Sequence, residues 1–199
     1  MQPKVFVFMG KSGSGKGTQA ELLKEYLEKH DGRKVLYLET GGAFRELASR
    51  DTHTGHVLAK AMETGDLAPV FLPVWAWTSF LVDHYSGEEH VIFDGLARRQ
   101  IEASILDSAM EFYGVEHVNI IYINVSDMWA RERLLGRGRG DDHEAEIKRR
   151  LAWFAENTVP ALEYFKKYER GHFHEINGEQ TIPNVHEDIL KGLGFRVEG

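Results

Sequence analysis

Short apolar runs alternate along this chain with segments whose apolar residues recur at helical spacing. The runs are Val5–Met9, Lys34–Leu38, Val91–Phe93, Val118–Asn124 and Phe173–Ile176. Most are brief, apolar and β-branched, as strands buried on both faces of a parallel sheet must be. Between them, Ala20, Leu23 and Leu27 share one helical face, and Ile147, Leu151 and Phe154 share another. Strands joined by helical crossovers predict a doubly wound α/β fold, a five-stranded parallel sheet flanked by helices. Ligands of such sheets bind beyond the carboxyl ends of the strands.

Two stretches break the rhythm. Residues 40–81 carry helical pattern without a strand, interrupted by Gly55, Gly65, Pro69 and Pro73. That is more chain than a crossover needs, and it predicts a small helical lobe. The second stretch, residues 136–142, reads Gly-Arg-Gly-Arg-Gly-Asp-Asp between two helical patterns. Glycines on both sides give an arginine reach at the expense of order, which suits a ligand-covering loop better than a plain turn.

Between the first strand and the first helix lies Gly10-Lys11-Ser12-Gly13-Ser14-Gly15-Lys16-Gly17-Thr18. Strand, glycine loop and helix together make a phosphate loop. Its N–H groups turn inward toward phosphate oxygens, and the helix N-terminus adds partial positive charge at the same point. Lys16 adds a full charge. The expected ligand is a nucleoside triphosphate, and the expected chemistry is phosphoryl transfer or hydrolysis. A second strand, Val91–Phe93, ends at Asp94, the usual place for a carboxylate that holds Mg²⁺ or its waters beside such a loop. Arg45, Arg98, Arg133, Arg137, Arg139 and Arg150 follow the loop, and arginine's planar fork matches phosphate oxygens two at a time.

Composition narrows the classes. Acidic residues outnumber basic ones 31 to 24, a net charge of −7, which weighs against nucleic-acid binding through a broad basic surface. There is no cysteine, so neither a disulfide nor a thiolate metal site exists, and a reducing cytoplasm is the expected compartment. The first apolar run leads straight into the glycine loop and falls far short of the roughly 20 residues of a membrane span, so no export signal and no membrane association are expected. His172 and His174 would share a strand face but have no third ligand at metal-site spacing, so ordinary packing histidines are expected and no zinc. Trp75 and Trp77 suit either a core or an exposed contact.

These residues resemble, in order over nearly the whole chain, the adenylate kinase branch of nucleoside monophosphate kinases. The likeness begins at Gly15–Gln19, Gly-Lys-Gly-Thr-Gln, where a generic nucleotide hydrolase more often has Ser or Thr directly after the lysine. Thr40–Arg45 is similar to the family's Thr-Gly-Asp-x-x-Arg, Gly65–Pro69 to Gly-x-Leu-Val-Pro, and Asp94–Arg98 to Asp-Gly-Phe-Pro-Arg. Arg133–Arg137 resembles the helix leading to the lid, Asp141 and Asp142 through Arg150 the return helix, and Asn177-Gly178 the late adenine loop. The resemblance implies a P-loop NTPase three-layer fold with a small helical NMP-binding lobe at 40–81 and a short lid at 136–143. The core would comprise 1–39, 82–135 and 144–199. A lid this short has no room for the zinc-bearing insertion of longer relatives.

The same resemblance implies roles. Gly13, Ser14, Gly15, Lys16, Gly17 and Thr18 would hold the ATP phosphates. Arg133 would stack on the ATP adenine near Gly178 and Gln180. Thr40, Arg45, Ala68, Gly95, Arg98 and Glu102 would line the acceptor site, with Arg45 and Arg98 on its phosphate. Arg137, Arg139 and Arg150 would close over the transferring group. Asp94 would organise Mg²⁺ through its waters, with no direct protein ligand. ATP and a nucleoside monophosphate are the implied partners of a monomer.

Three departures from the family pattern matter. Gly42 stands where the family has Asp, removing one carboxylate near the metal waters. Leu96-Ala97 replaces Phe-Pro and would loosen the turn before Arg98. Glu102 stands where adenylate kinases have Gln. A carboxylate only accepts hydrogen bonds, so it suits the N1–H and N2 amine of guanine better than adenine. Equally, Glu102 pairs with Arg98 or Arg99 along one helix. Thr40 is the adenylate kinase choice, which keeps AMP as the first acceptor, with GMP or broad specificity as the alternative. A P-loop switch or assembly factor with weak turnover, and a kinase of another small metabolite, are the competing classes.

Overall fold

A computed structural model describes residues 2–63, 68–138 and 142–197. The expected strands form as β1 (Val5–Gly10), β2 (Val35–Glu39), β3 (His90–Asp94), β4 (Val118–Asn124) and β5 (Gly171–Asn177). They build one sheet of 5 strands in the order β2-β3-β1-β4-β5. Every pairing is parallel. The chain leaves β1 for the edge at β2, returns to β3 beside β1, and then crosses to β4 and β5 on the other side, so the crevice at the carboxyl ends opens beside the first strand, where the glycine loop sits.

Helices cover both faces. They are α1 (Lys16–His30), α2 (Thr40–Ala48), α3 (His53–Glu63), α4 (Phe71–His84), α5 (Gln100–Phe112), α6 (Asp127–Arg137), α7 (Glu144–Trp153), α8 (Val159–Lys166) and α9 (Ile182–Gly192). Alternate residues of β1 point to opposite sides. Val5, Val7 and Met9 join a core with Trp77 and Leu81 of α4, Leu106 of α5 and Phe165 of α8. Phe6 and Phe8 join the other core with Leu23 and Leu27 of α1 and Ile189 of α9. That two-sided burial explains the near-continuous apolar strands. β5 differs, because it is an edge strand in which Ile176 alone is buried.

A separate small cluster of Leu47, Leu58, Ala68 and Leu72 holds α2 and α3 together with the start of α4. Helix α4 therefore serves both bodies. Leu72 faces the small cluster, while Trp77, T-shaped against Phe93, belongs to the sheet core. Trp75, half exposed, does not.

Between α7 and α8 the helix widens into a π turn over Phe154–Thr158. Pro160, which has no N–H to continue the ladder, follows directly, and the Val159 N–H reaches back five residues to the Phe154 carbonyl. The turn places the Phe154 ring against Tyr122 and beneath the Lys11 ammonium, 5.8 Å away. No helix among the described residues is long and apolar enough to cross a membrane.

Candidate active site

The site starts where β1 ends. Gly15 takes a left-handed conformation, φ 90°, and caps α1 with no side-chain hydrogen bond. The first-turn N–H groups of α1 therefore face the loop hollow, ready for an anion. Gly13 lets the loop lie on α6, since a Cβ there would come within 2.6 Å of the Ala130 carbonyl oxygen. The Ser14 N–H donates to the Lys11 carbonyl at 3.1 Å, and the Lys16 ammonium donates to the same oxygen at 3.3 Å. Lys11 itself anchors the loop to the β4–α6 connection, donating to the Val125 carbonyl at 2.8 Å and pairing with Asp127 at 2.6 Å. The Thr18 side chain stands exposed at the loop mouth.

Lys16 faces a cluster of charges. Burial pushes its pKa down, Asp94 and Glu39 push it up, and Arg98 and Arg137 push it down. Asp94 ends β3 and is 6% exposed. Its pKa is raised chiefly by burial and also by Glu39, against the pull of Lys16 and Arg98. Its Oδ2 would lie 3.0 Å from a Cβ on Gly17, so glycine there admits the carboxylate to the first turn of α1. Its Oδ1 is buried without a hydrogen-bond partner. Lys16, Asp94, Arg98 and Arg137 thus lie within electrostatic reach of one another.

The turn after Asp94 differs from the expected one. Gly95 has φ 78° and Ala97 has φ 55°. Proline, fixed near −65°, cannot occupy that conformation, so Ala97 belongs to a differently shaped turn and not to a loosened copy of the Phe-Pro one. The turn is held firmly. The Arg98 Nε–H donates to the Gly95 carbonyl at 2.9 Å, and the Arg98 backbone N–H donates to Glu102 Oε2 at 3.0 Å. Ala97→Pro is expected to rebuild the turn, swing Arg98 out of place, and cut turnover by about a hundredfold, whereas Ala97→Gly keeps turnover near wild type. Steady-state rates on both variants check this, and a fully active proline variant would contradict the turn assignment.

The residues expected on the acceptor side are spread more widely. Thr40 opens α2, buried to 4% exposure with its hydroxyl unpartnered. Arg45 is held by Glu39, whose carboxylate oxygens accept from Nη2 at 2.9 and 3.2 Å. Glu102 is buried, and besides the Arg98 N–H its Oε1 accepts from Arg99 Nη1 at 3.2 Å. Arg99 also donates to the Ala68 carbonyl at 3.0 Å and lies over the Trp153 ring at 4.6 Å. It joins the small lobe, α5 and the end of α7.

In the lid region, Arg137 grips Asp142 with Nε and Nη2, each at 2.8 Å, and Arg150 Nη2 reaches the same carboxylate at 2.9 Å. Asp142 is buried and gathers both arginines. Arg139, Gly140 and Asp141, like Gly65, Asp66 and Leu67 of the lobe, lie outside the described residues. On the donor side, Arg133 rests on the Trp129 ring at 4.9 Å. The Gly178 N–H donates to the Asn124 carbonyl at 2.9 Å, and Gln180 turns toward α9, donating to Asp188 Oδ2 at 2.9 Å. Among the described residues, no group of three or more acidic, histidine or cysteine side chains is placed to hold a metal ion.

Glu39, which no motif named, joins the charged cluster, while Arg99 and Asp142, read only as a partner of Glu102 and as part of the return-helix motif, hold Glu102 and the pair Arg137 and Arg150. Glu39 directly precedes Thr40 at a strand end, and Arg99 directly follows Arg98. For Glu39, adjacency to Thr40 was the available signal.

A family model described as adenylate kinase matches residues 8–170. The chain is 31% identical over 191 residues to the adenylate kinase of Leuconostoc mesenteroides, covering 96% of this chain and 97% of that protein. It is 32% identical to that of Deinococcus radiodurans, covering 96% of each, and 33% identical to that of Campylobacter hominis, covering 93% of each. The chain belongs to the adenylate kinase family and is a phosphotransferase of the nucleoside monophosphate kinase type.

Proposed function

We propose that the chain transfers the γ-phosphoryl group of ATP to AMP, reversibly and with Mg²⁺, giving ADP on both sides. The observation that carries this reading is the mutual field of Lys16, Arg98, Arg137 and Asp94 at the mouth of the glycine loop. Two polyanions repel strongly as they approach in a dry site, and several fixed cations must offset that repulsion. A switch that only binds ATP has no use for the cations beyond the loop.

In this mechanism the loop amides and Lys16 hold the donor phosphates, and Thr18 meets the α-phosphate. Arg133 leaves Trp129 to cover the adenine near Gly178 and Gln180. Arg98 and Arg45 grip the acceptor phosphate, with Thr40, Ala68 and Gly95 lining its site. Arg137, Arg150 and Arg139 close over the moving group. Mg²⁺, if carried in with the nucleotide, would supply charge neutralisation at the donor phosphate oxygens, with Asp94 holding its waters. The unpartnered Oδ1 of Asp94 fits the waters of a hydrated Mg²⁺, which keeps most of its shell when it arrives with a nucleotide. The lobe at 40–81 and the lid at 136–143 would move over the core, expelling water and suppressing ATP hydrolysis. The enzyme would act as a cytoplasmic monomer, a placement that the absence of cysteine suits.

A GMP-preferring enzyme is the second reading, and Glu102 is its basis. Both oxygens of Glu102 already accept hydrogen bonds from Arg98 and Arg99. That supports a structural role, although Arg98 and Arg99 precede α5, so Glu102 holds the start of the helix and does not pair along it. Glu102→Gln is therefore expected to keep the AMP-to-GMP rate ratio within about twofold and to lower stability by about 1–2 kcal/mol. A shift of tenfold or more in that ratio would restore base reading. The direct test is a steady-state assay of Mg-ATP against AMP, GMP, CMP, UMP and dTMP. AMP is expected to dominate; a different dominant acceptor would replace it, and transfer to none would overturn the proposal.

A further inference from the structure

Glu39 ends β2 beside Asp94, its partner across the parallel ladder, so both carboxylates leave the sheet edge on the same face. Glu39 acts electrostatically on Asp94, Lys16 and Arg98, the groups that frame the phosphate site. Its side chain lies over the glycine pair that opens α2. A Cβ at Gly42 would come within 2.7 Å of Glu39 Oε2, and one at Gly41 within 3.2 Å of Oε1. The carboxylate occupies the ground that a side chain at position 42 would need. Two neighbouring polar atoms point to a ligand that binds there: Asp94 Oδ1 and Thr40 Oγ1 are both buried without a partner, in residues 6% and 4% exposed.

We propose that Glu39 supplies the second carboxylate of the metal-water site, making up for the glycine at position 42. It is a positioning residue, acting on the waters of a nucleotide-bound Mg²⁺ together with Asp94. The inference rests on the phosphotransfer reading above. Two carboxylates accepting from metal-bound water match the way Mg²⁺ is ordinarily held beside substrate phosphates. The Arg45 bond that holds Glu39 joins two side chains 48% and 40% exposed, and exposed pairs of this kind are weak. An acceptor phosphate that takes over Arg45 releases the carboxylate beside Asp94, so acceptor occupancy and metal binding reinforce each other.

The test is Mn²⁺ affinity, read from the free-ion electron spin resonance signal, for protein loaded with AMP and a non-transferable ATP analogue. Glu39→Gln, close in shape, is expected to weaken Mn²⁺ about tenfold. Its metal-free affinity for AMP should hold or rise, because a negative group beside the phosphate is gone. Gly42→Asp alone should also weaken Mn²⁺, because its side chain displaces the Glu39 carboxylate from its place beside Asp94. Glu39→Ser combined with Gly42→Asp should recover Mn²⁺ affinity to within about threefold of wild type. Unchanged Mn²⁺ affinity in Glu39→Gln with weakened AMP binding would overturn the proposal and leave Glu39 as a holder of Arg45. Failure of the double variant to recover, when it melts like wild type, would also overturn it. If the wild-type complex itself takes up no more Mn²⁺ than the nucleotides do free in solution, the phosphotransfer reading of the site falls first.

Discussion

Lys16→Ala is expected to lower kcat/KM for phosphoryl transfer by about 10³-fold while the protein stays folded. Lys16 stands at the first position of α1, at the mouth of a loop whose amides already point inward. Its ammonium is partly desolvated, opposed by Arg98 and Arg137 and balanced by Asp94 and Glu39. A charge held in that condition is preorganised: its desolvation has been met by the fold, and it acts on developing phosphate charge without reorganising water. Losing one preorganised donor of this kind costs about 10²–10³-fold, and a full charge in a dry site costs at the upper end. The fold loses little. The ammonium makes one long hydrogen bond to the Lys11 carbonyl, and Gly15 and Gly13 set the loop shape without it. The expected pattern is a large fall in kcat with a thermal melting curve near wild type. Turnover within tenfold of wild type would remove Lys16 from the donor site.

Arg98→Ala is expected to cost about 10³-fold and Arg98→Lys about 10²-fold, with the loss in both kcat and the KM for AMP. Two bonds set the guanidinium in place, Nε–H to Gly95 and backbone N–H to Glu102. What remains free is one edge of the fork, and a Cβ on Gly95 would lie 3.0 Å from Nη2 and 3.7 Å from Lys16 Cε. That edge therefore lies on the side of Gly95 where Lys16 also lies, which on the proposed reading is between the two phosphates. A lysine restores the charge but not the planar two-point grip, so it should recover only part of the loss. A variant with normal AMP affinity and normal kcat would show that the acceptor phosphate lies elsewhere.

The sheet and the loop were legible because their signals are local. A strand buried on both faces must be apolar, and a phosphate loop must have glycine where the backbone turns left-handed, so Val5–Met9 and Gly15 announce themselves. The ends of the charged side chains were not legible. Arg45 bonds to Glu39, Arg133 lies on Trp129, and Glu102 bonds to Arg98 and Arg99. Each choice depends on which of several partners lies within reach once the helices pack, and spacing along the chain does not decide that. Ala97 shows the same limit for backbone: alanine reads as ordinary, yet it sits at φ 55° because the Gly95 and Glu102 bonds on either side hold the turn. Helix α4 shows it for packing, since one helix, apolar nearly all round, serves the small cluster at Leu72 and the sheet at Trp77.

The central claim is that two nucleotide sites share one phosphoryl group, and ADP alone tests it most directly. With Mg²⁺ and ADP as the sole nucleotide, the protein should form ATP and AMP in equal amounts until the mixture stops changing, as resolved by chromatography or phosphorus resonance. Only a protein that seats one ADP as donor and another as acceptor can do this. Release of inorganic phosphate without ATP, or no reaction while ADP is bound, would contradict the account.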